Sequence, residues 1–274
     1  MTRPFRMIHI GAGSMGGALL NAWLKAGIVD AAGSAVVDPN PSQAIADLCS
    51  EHGLPLNPEG DGAYDLCVLA TKPQVFGSVL PSLAWPDFDK TLFISIAAGI
   101  GAEEIAMLLT RDERRPRVVR VMPSLPAFVG RSMSLLASDA RLSADDRTAA
   151  ERLMAGAGAV AWTDDEDQLD RWMGVAACGP AFLLRVVEGL AAAAEAQGAS
   201  PYVARKLAEE TFAGTAALLE ADDRDAGALR QAVTSPGGTT AAGLDVLNAR
   251  GVVETFGDAV EAAYRRAREL SGRA

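Results

Sequence analysis

The sequence predicts a doubly wound α/β domain over residues 1–162, followed by an all-α domain over residues 163–274. Three observations lead to that division. Short β-rich runs alternate with helical patterns up to about Trp162, the runs are continuously apolar, as in Leu66-Cys67-Val68-Leu69-Ala70, and no strand signal follows. Continuous apolar runs suit parallel strands buried on both faces, and regular alternation with helices suits a sheet covered on both sides.

In chain order, strands are expected over 7–10, 34–38, 65–70, 91–95, 118–122 and 133–137, each short and apolar. Helices are expected between them over 15–26, 41–52, 75–83, 102–109 and 144–155. In the second half, Leu183, Val187, Leu190 and Ala194 recur at helical spacing over 181–196, and Gly198 ends that helix. Ser200 is placed to cap, and Pro201 to open, a helix over 201–219. A shorter helix is expected over 240–248. The pattern over 252–270 puts Val253, Phe256, Val260 and Ala263 on one face.

Composition narrows the function classes. With 49% hydrophobic and 22% charged residues the chain is globular and able to bury a large core. A formal net charge of −10 and a pI near 4.8 leave no basic face for nucleic acid. The aromatic residues are few, 8 Phe, 4 Trp and 3 Tyr, so the core must come from Ala, Val, Leu and Ile and backbones must approach closely. Cys49, Cys67 and Cys178 have neither metal-ligand nor disulfide spacing, which fits a reducing cytoplasm and no metal centre. The stretch from Met7 to Leu24 superficially imitates a signal peptide. Its His9, Asn21 and four glycines argue against that reading, and no run is apolar and long enough for a membrane span.

Two loops carry chemistry. Ile10-Gly11-Ala12-Gly13-Ser14-Met15-Gly16 follows a strand and opens a helix, the context in which a glycine-rich turn binds a dinucleotide. The first glycine makes the tight turn, the second admits the pyrophosphate, and the third lets helix and strand pack. Free N–H groups at the helix start hold the phosphates. The expected domain is therefore Rossmann-like. Asp38 ends the second strand, where a carboxylate accepts from an adenosine ribose and disfavours a 2′-phosphate. No Arg follows between Pro39 and Ala46, although Asn40 and Ser42 remain as neutral donors, so NADH is favoured over NADPH. Ala70-Thr71-Lys72-Pro73 ends another strand, at the edge where such sheets bind ligands; Lys72 reads equally well as a solvated loop lysine.

The second loop is Ser235-Pro236-Gly237-Gly238-Thr239-Thr240, immediately before a helix. Its glycines allow successive N–H groups to point into one concavity and its hydroxyls add donors, which makes an anion cradle for a small carboxylate; a plain capped turn is the equal alternative. A hydrolase triad is excluded, because the only histidines are His9 and His52 and neither has a nucleophile and acid beside it.

With these motifs in this order the chain resembles pyrroline-5-carboxylate reductase. The resemblance rests on the glycine loop, Ala70-Thr71-Lys72-Pro73-Gln74, Ser95-Ile96-Ala97-Ala98-Gly99-Ile100, Arg120-Val121-Met122-Pro123, Gly179-Pro180-Ala181-Phe182, and Val233 through Thr240. It implies a helical domain that interlocks with a partner in a homodimer, often in a ring of dimers, and NADH or NADPH as cofactor. It implies that Ser235, Gly237, Gly238, Thr239 and Thr240 hold the substrate carboxylate and that Thr240 hydrogen-bonds the ring nitrogen. The resemblance further implies that Met122-Pro123 and Ala97-Ala98-Gly99 flank the nicotinamide and that Asn57 lies on the adenosine side.

Some positions depart from the family pattern. Met-Pro-Asn-Thr-Pro is here Met122-Pro123-Ser124-Leu125-Pro126, the usual Tyr is Phe182, the preceding Ser-Gly-Ser is Ala176-Ala177-Cys178, and a His-Pro pair is Asp225-Ala226. These changes leave a different cyclic imine carboxylate, or a non-catalytic dinucleotide-binding relative, as alternatives. A β-hydroxyacid dehydrogenase needs a lysine on the first long helix of its second domain, whereas the only lysine after Lys90 is Lys206 on the second.

Overall fold

The computed structural model describes residues 3–59, 62–80, 90–110, 114–138 and 141–270. Seven strands, β1 (Met7–Ile10), β2 (Ala35–Val37), β3 (Leu66–Leu69), β4 (Leu92–Ser95), β5 (Arg117–Met122), β6 (Ser132–Ser138) and β7 (Gly158–Trp162), form one sheet. Their order is β2-β1-β3-β4-β5-β6-β7. The first five are mutually parallel, β6 runs antiparallel to β5, and β7 runs parallel to β6. Beyond β2, Leu56 makes a parallel bridge to Val36, with Val36 N–H donating to the Pro55 carbonyl at 2.8 Å and Asn57 N–H to the Val36 carbonyl at 2.7 Å. Counting that bridge as a reduced strand gives the order of a dinucleotide-binding sheet, in which the switch point falls between β1 and β3.

Helices cover both faces. On one side α1 (Ser14–Lys25), α2 (Gln43–His52) and α5 (Ala144–Ala155) bury Leu19, Leu20, Trp23, Ile45 and Leu153 with Met7, Val36 and Val68 of the strands. On the other, α3 (Phe76–Val79) and α4 (Ala102–Leu109) bury Phe76, Ile105 and Leu109 with Ile10, Cys67 and Phe93. Successive strand residues point to opposite faces, which is why Met7 and Ile10 serve different cores. The local rules hold at the helix ends: Ser42 accepts from Ile45 N–H, and Ser143 with Asp146 forms a reciprocal capping box.

Two elements differ from the sequence reading. The helix expected over 75–83 is a 3₁₀ turn at Pro73–Val75 followed by the single-turn α3, and residues 81–83 lie outside the described residues. Strand β7 was not expected. It begins at Gly158, whose φ of +141° and position against β6 require a residue without Cβ: a Cβ there would lie 2.2 Å from the Ser132 carbonyl oxygen and 2.4 Å from its nitrogen.

By compactness the chain divides into Met1–Cys178 with Glu261–Ala274, and Gly179–Val260. The sequence reading placed its division at residue 162. Helix α6 (Glu166–Ala176) belongs to the first unit because it packs Leu169 against Met122, Leu135 and Ala137. The second unit holds α7 (Gly179–Ala196), α8 (Pro201–Ala221), α9 (Ala226–Ala232), α10 (Thr239–Ala249) and the start of α11 (Val252–Leu270), which ends in the first unit. Ser200 caps α8 by accepting from Val203 N–H, with Pro201 at its first position. The stretch Glu166–Ala196, interrupted at Ala177-Cys178, is long and apolar enough by composition to cross a membrane, where the sequence reading expected no such run; none of its most apolar window is buried.

Because the clash at Gly158 is with backbone, which cannot rotate away, Gly158→Ala is expected to cost about 2 kcal/mol or more in a urea unfolding experiment. An unchanged midpoint would contradict the described β6–β7 register.

Candidate active site

Parallel pairing of β1 to β5 brings their carboxyl ends to one edge, with Ile10 opposite Val37 and Leu69, Leu69 opposite Ser95, and Ser95 opposite Arg120. The residues next after these paired positions are Gly11, Asp38, Ala70, Ile96 and Val121, and β5 continues one residue further, to Met122. All the residues expected to bind cofactor, from Ile10 to Pro123, therefore fall at or just past this edge.

The glycine loop is shaped by contact. Gly11 has φ +86°, and a Cβ on it would lie 2.6 Å from Thr71 Cγ2 and 3.0 Å from the Ala70 backbone. A Cβ on Gly16 would lie 2.9 Å from both Ala70 Cβ and the Gly11 carbonyl oxygen, so α1 rests directly on the strand ends. Gly13 is different: it is the N-cap of α1, its side has nothing within 4 Å, and no side chain caps the helix. The first-turn N–H groups thus face open space beside a cleft of about 630 Å³ lined by Gly13, Ser14, Asp38, Asn40 and Ser42 among others. Thr71 Oγ1, at the same edge, is buried with no hydrogen-bond partner. An exposed helix start, a glycine whose missing Cβ leaves room, and an orphaned hydroxyl fit a dinucleotide pyrophosphate.

Asp38 is held as well as holding. Its Oδ2 accepts from Ala12 N–H at 2.8 Å and its Oδ1 from Asn40 N–H at 2.9 Å. Asn57, the one described non-glycine residue at positive φ (51°), clamps the Asp38 backbone, accepting from its N–H and donating to its carbonyl, both at 2.8 Å. Lys72 is exposed and precedes the 3₁₀ turn, while Pro73 starts it. Ala97 is buried, Gly99 turns at φ +79°, and Met122 ends β5 buried.

Ser124, two residues past β5, is buried; its Oγ accepts from Met133 N–H at 2.9 Å while its N–H donates to Ser132 Oγ at 3.0 Å, which ties the segment after Pro123 to β6. Leu125 is 48% exposed, so the surface after Pro123 is apolar.

In sequence His9 counts against a signal peptide and against a hydrolase triad, with no role of its own. It is fully buried beneath α1, edge-on to Trp23 at 6.0 Å, with neither ring nitrogen hydrogen-bonded. Burial pushes its pKa down to about 4, against the opposing pull of Asp38 and the Gly11 and Gly16 backbone. It is a neutral spacer under the loop.

In the second unit, Gly237 has φ +70° and Gly238 N–H donates to the Ser235 carbonyl at 3.0 Å, closing a turn that delivers Gly238 as the N-cap of α10. No side chain caps that helix either. The first-turn N–H groups of Thr239 and Thr240 and the hydroxyls of Ser235, Thr239 and Thr240 lie on an exposed loop, a compact set of anion donors. Among the described residues no group of His, Cys, Asp and Glu is arranged to hold a metal.

A switch-point sheet with this glycine loop defines an NAD(P)-binding oxidoreductase fold. Residues 7–99 match the family described as NADP oxidoreductase coenzyme F420-dependent, and residues 166–270 match pyrroline-5-carboxylate reductase dimerisation. The chain is 34% identical to pyrroline-5-carboxylate reductase of Pseudomonas aeruginosa, over 99% of this chain and 98% of that one. It is 35% identical to that of Thermus thermophilus, over 97% and 98%. A solved pyrroline-5-carboxylate reductase from Coxiella burnetii matches with a TM-score of 0.85 at 28% identity, over 98% and 99% of the two chains. The chain belongs to the pyrroline-5-carboxylate reductase family.

Two predictions follow from the loop. Gly13→Val is expected to cost at most about 1 kcal/mol of stability while weakening NADH binding roughly tenfold or more, whereas Gly16→Val damages both; equal NADH affinity in Gly13→Val would exclude the cradle. For His9, the unfolded ring binds protons near pH 6.5 and the folded one near 4, so its contribution is complete above 6.5 and lost as the pH falls to 4. His9→Leu should remove a pH dependence of stability on the order of 3 kcal/mol over that window, measured by urea unfolding at pH 4.5 and 7.

Proposed function

We propose that this chain reduces the C=N bond of Δ1-pyrroline-5-carboxylate to L-proline, with the dinucleotide on the glycine loop of the first unit and the substrate carboxylate on the Ser235–Thr240 cradle of the second. The observation that carries the reading is that cradle, two uncapped N–H groups and three hydroxyls on a helix start within the region matching the family's dimerisation model. When bound, the nicotinamide supplies a hydride to the imine carbon.

The chain's own part is to bind and orient. Fixing two reactants in a near-attack geometry is worth several kcal/mol in principle. An iminium accepts hydride better than a neutral imine, and the second unit holds no histidine and only Lys206, on α8, among its lysines. The substrate therefore enters protonated or takes its proton from water. Thr240 Oγ1 orients the ring nitrogen and does not act as a strong acid.

NADH is favoured over NADPH because a 2′-phosphate would meet the Asp38 carboxylate, which Ala12 and Asn40 hold in place, with no Arg between residues 39 and 46 to offset it. The exposed leucines and valines of α7 and α8 are the surface that a second copy covers, giving a homodimer and, by family resemblance, a ring of dimers. The same covering accounts for the apolar stretch Glu166–Ala196 without a membrane. Three free thiols fit a cytoplasmic protein. The exposed Leu125 favours, as the second reading, a cyclic imine carboxylate with more apolar surface.

The assay follows NADH and NADPH absorbance with Δ1-pyrroline-5-carboxylate. Rapid oxidation, faster with NADH, is expected; binding without oxidation would identify a non-catalytic relative. Thr240→Ala is expected to reduce kcat/KM by about 10²-fold and to leave NADH binding nearly unchanged. A fully active Thr240→Ala would remove the hydroxyl from the mechanism.

A further inference from the structure

Charged side chains that the proposed chemistry does not use converge behind its nicotinamide end. Arg120 on β5 is 2% exposed and lies two residues before Met122, on the same face of the strand. Its guanidinium donates to Glu166 Oε2 at 3.2 Å and to Asp170 Oδ1 at 2.6 Å, both on α6. The other oxygen of Glu166, Oε1, accepts from Ala102 N–H at 2.7 Å. Ala102 is the first residue of α4, and the N-cap, Gly101, has no side chain to offer. Glu166 thus supplies, from 64 residues away, the acceptor that a capping side chain ordinarily provides.

One carboxylate thereby bridges β5 and the start of α4, where the loop that follows β4 ends. These are the segments that end in Met122-Pro123 and begin with Ala97-Ala98-Gly99, the two proposed nicotinamide walls. Stability alone is a weak reason for such a cluster, since apolar residues of similar volume hold cores together as well as buried ion pairs do. What hydrogen-bonded charges add is direction: a guanidinium fork and a carboxylate with both oxygens engaged fix angles that packing leaves loose.

We propose that Arg120, Glu166 and Asp170 form a buried positioning device and that Glu166 sets the spacing of the two nicotinamide walls; this rests on the cofactor reading above. Glu166 touches neither cofactor nor substrate and acts through Ala102 N–H and Arg120.

Two variants of the full chain break the tether differently. Glu166→Ala removes the carboxylate. Ala102→Pro removes the N–H and keeps the carboxylate, at the first helical position where proline is tolerated and after a Gly101 already at φ −82° and ψ 157°; its ring adds two carbons at a buried site, so a stability cost accompanies it. Each is expected to lower kcat roughly 10- to 100-fold, to raise the isotope effect seen with 4-deuterated NADH, and to weaken NADH while leaving ADP-ribose affinity unchanged. Glu166→Gln, which keeps an acceptor for Ala102 N–H, is expected to recover most of kcat. A merely structural cluster would lower Tm and leave kcat per folded enzyme, the isotope effect and the NADH to ADP-ribose affinity ratio as in the wild type, which overturns the proposal. Wild-type protein that fails to reduce Δ1-pyrroline-5-carboxylate overturns the substrate reading instead. The affinity ratio then still decides the positioning role.

Discussion

The first unit is organised by the close approach of α1 to the ends of β1 and β3. Gly11 and Gly16 leave no room for a Cβ, so the helix starts almost on top of the strands and its first N–H groups emerge at the sheet edge. Neighbouring features depend on that approach. Ala12 N–H is brought to Asp38, Asn57 holds the Asp38 backbone from the reduced strand at Leu56, and His9 is closed over by the helix with its nitrogens unpaired. An unpaired buried imidazole costs on the order of 1–3 kcal/mol per lost partner, so its place under the loop is sustained by the packing of Trp23 and the rest of that core.

The same geometry resolves a tension in the charge balance. A chain of net charge −10 is proposed to bind an anionic cofactor and a carboxylate. Its distant charges are screened over about 8–10 Å at physiological ionic strength, whereas helix-start N–H groups act at hydrogen-bond distance. The two helix starts without a side-chain cap, at Gly13 and Gly238, offer such N–H groups in the proposed sites. Lys72 is exposed at the first edge, next to the 3₁₀ turn that Pro73 starts.

Much of this was legible in the sequence because it is local. Strand runs such as Leu66-Cys67-Val68-Leu69, the glycine spacing, Asp38 and the Ser200-Pro201 helix start are each written within a few residues. What escaped reading depends on distant partners. Strand β7, Gly158-Ala159-Val160-Ala161-Trp162, is a half-buried edge with small residues and exists because Gly158 lets it meet Ser132. Helix α6 reads as one more helix, and only Leu169 against Met122 and Leu135 assigns it to the sheet. The bond from Met133 N–H to Ser124 Oγ reaches across to β6, and the Glu166 cap on α4 spans 64 residues with no motif to announce it.

The helical unit poses the opposite problem, too little burial within one chain. No residue of α7 or α10 is buried, and α8 buries only Ala204 and Ala208. Leu183, Leu184, Leu190, Leu207 and Leu218 are each about half exposed, far more apolar surface than isolated leucines need. Alanine-rich helices bring backbones close but leave each face shallow, so two such helices cannot enclose a core between themselves. A second copy presenting the same shallow faces can, because self-complementary packing about a two-fold axis buries each leucine against its counterpart's surface. The scarcity of aromatic residues then bears on the proposed homodimer: without bulky side chains to hold helices apart, the helices of two copies can approach closely enough for these exposed faces to meet.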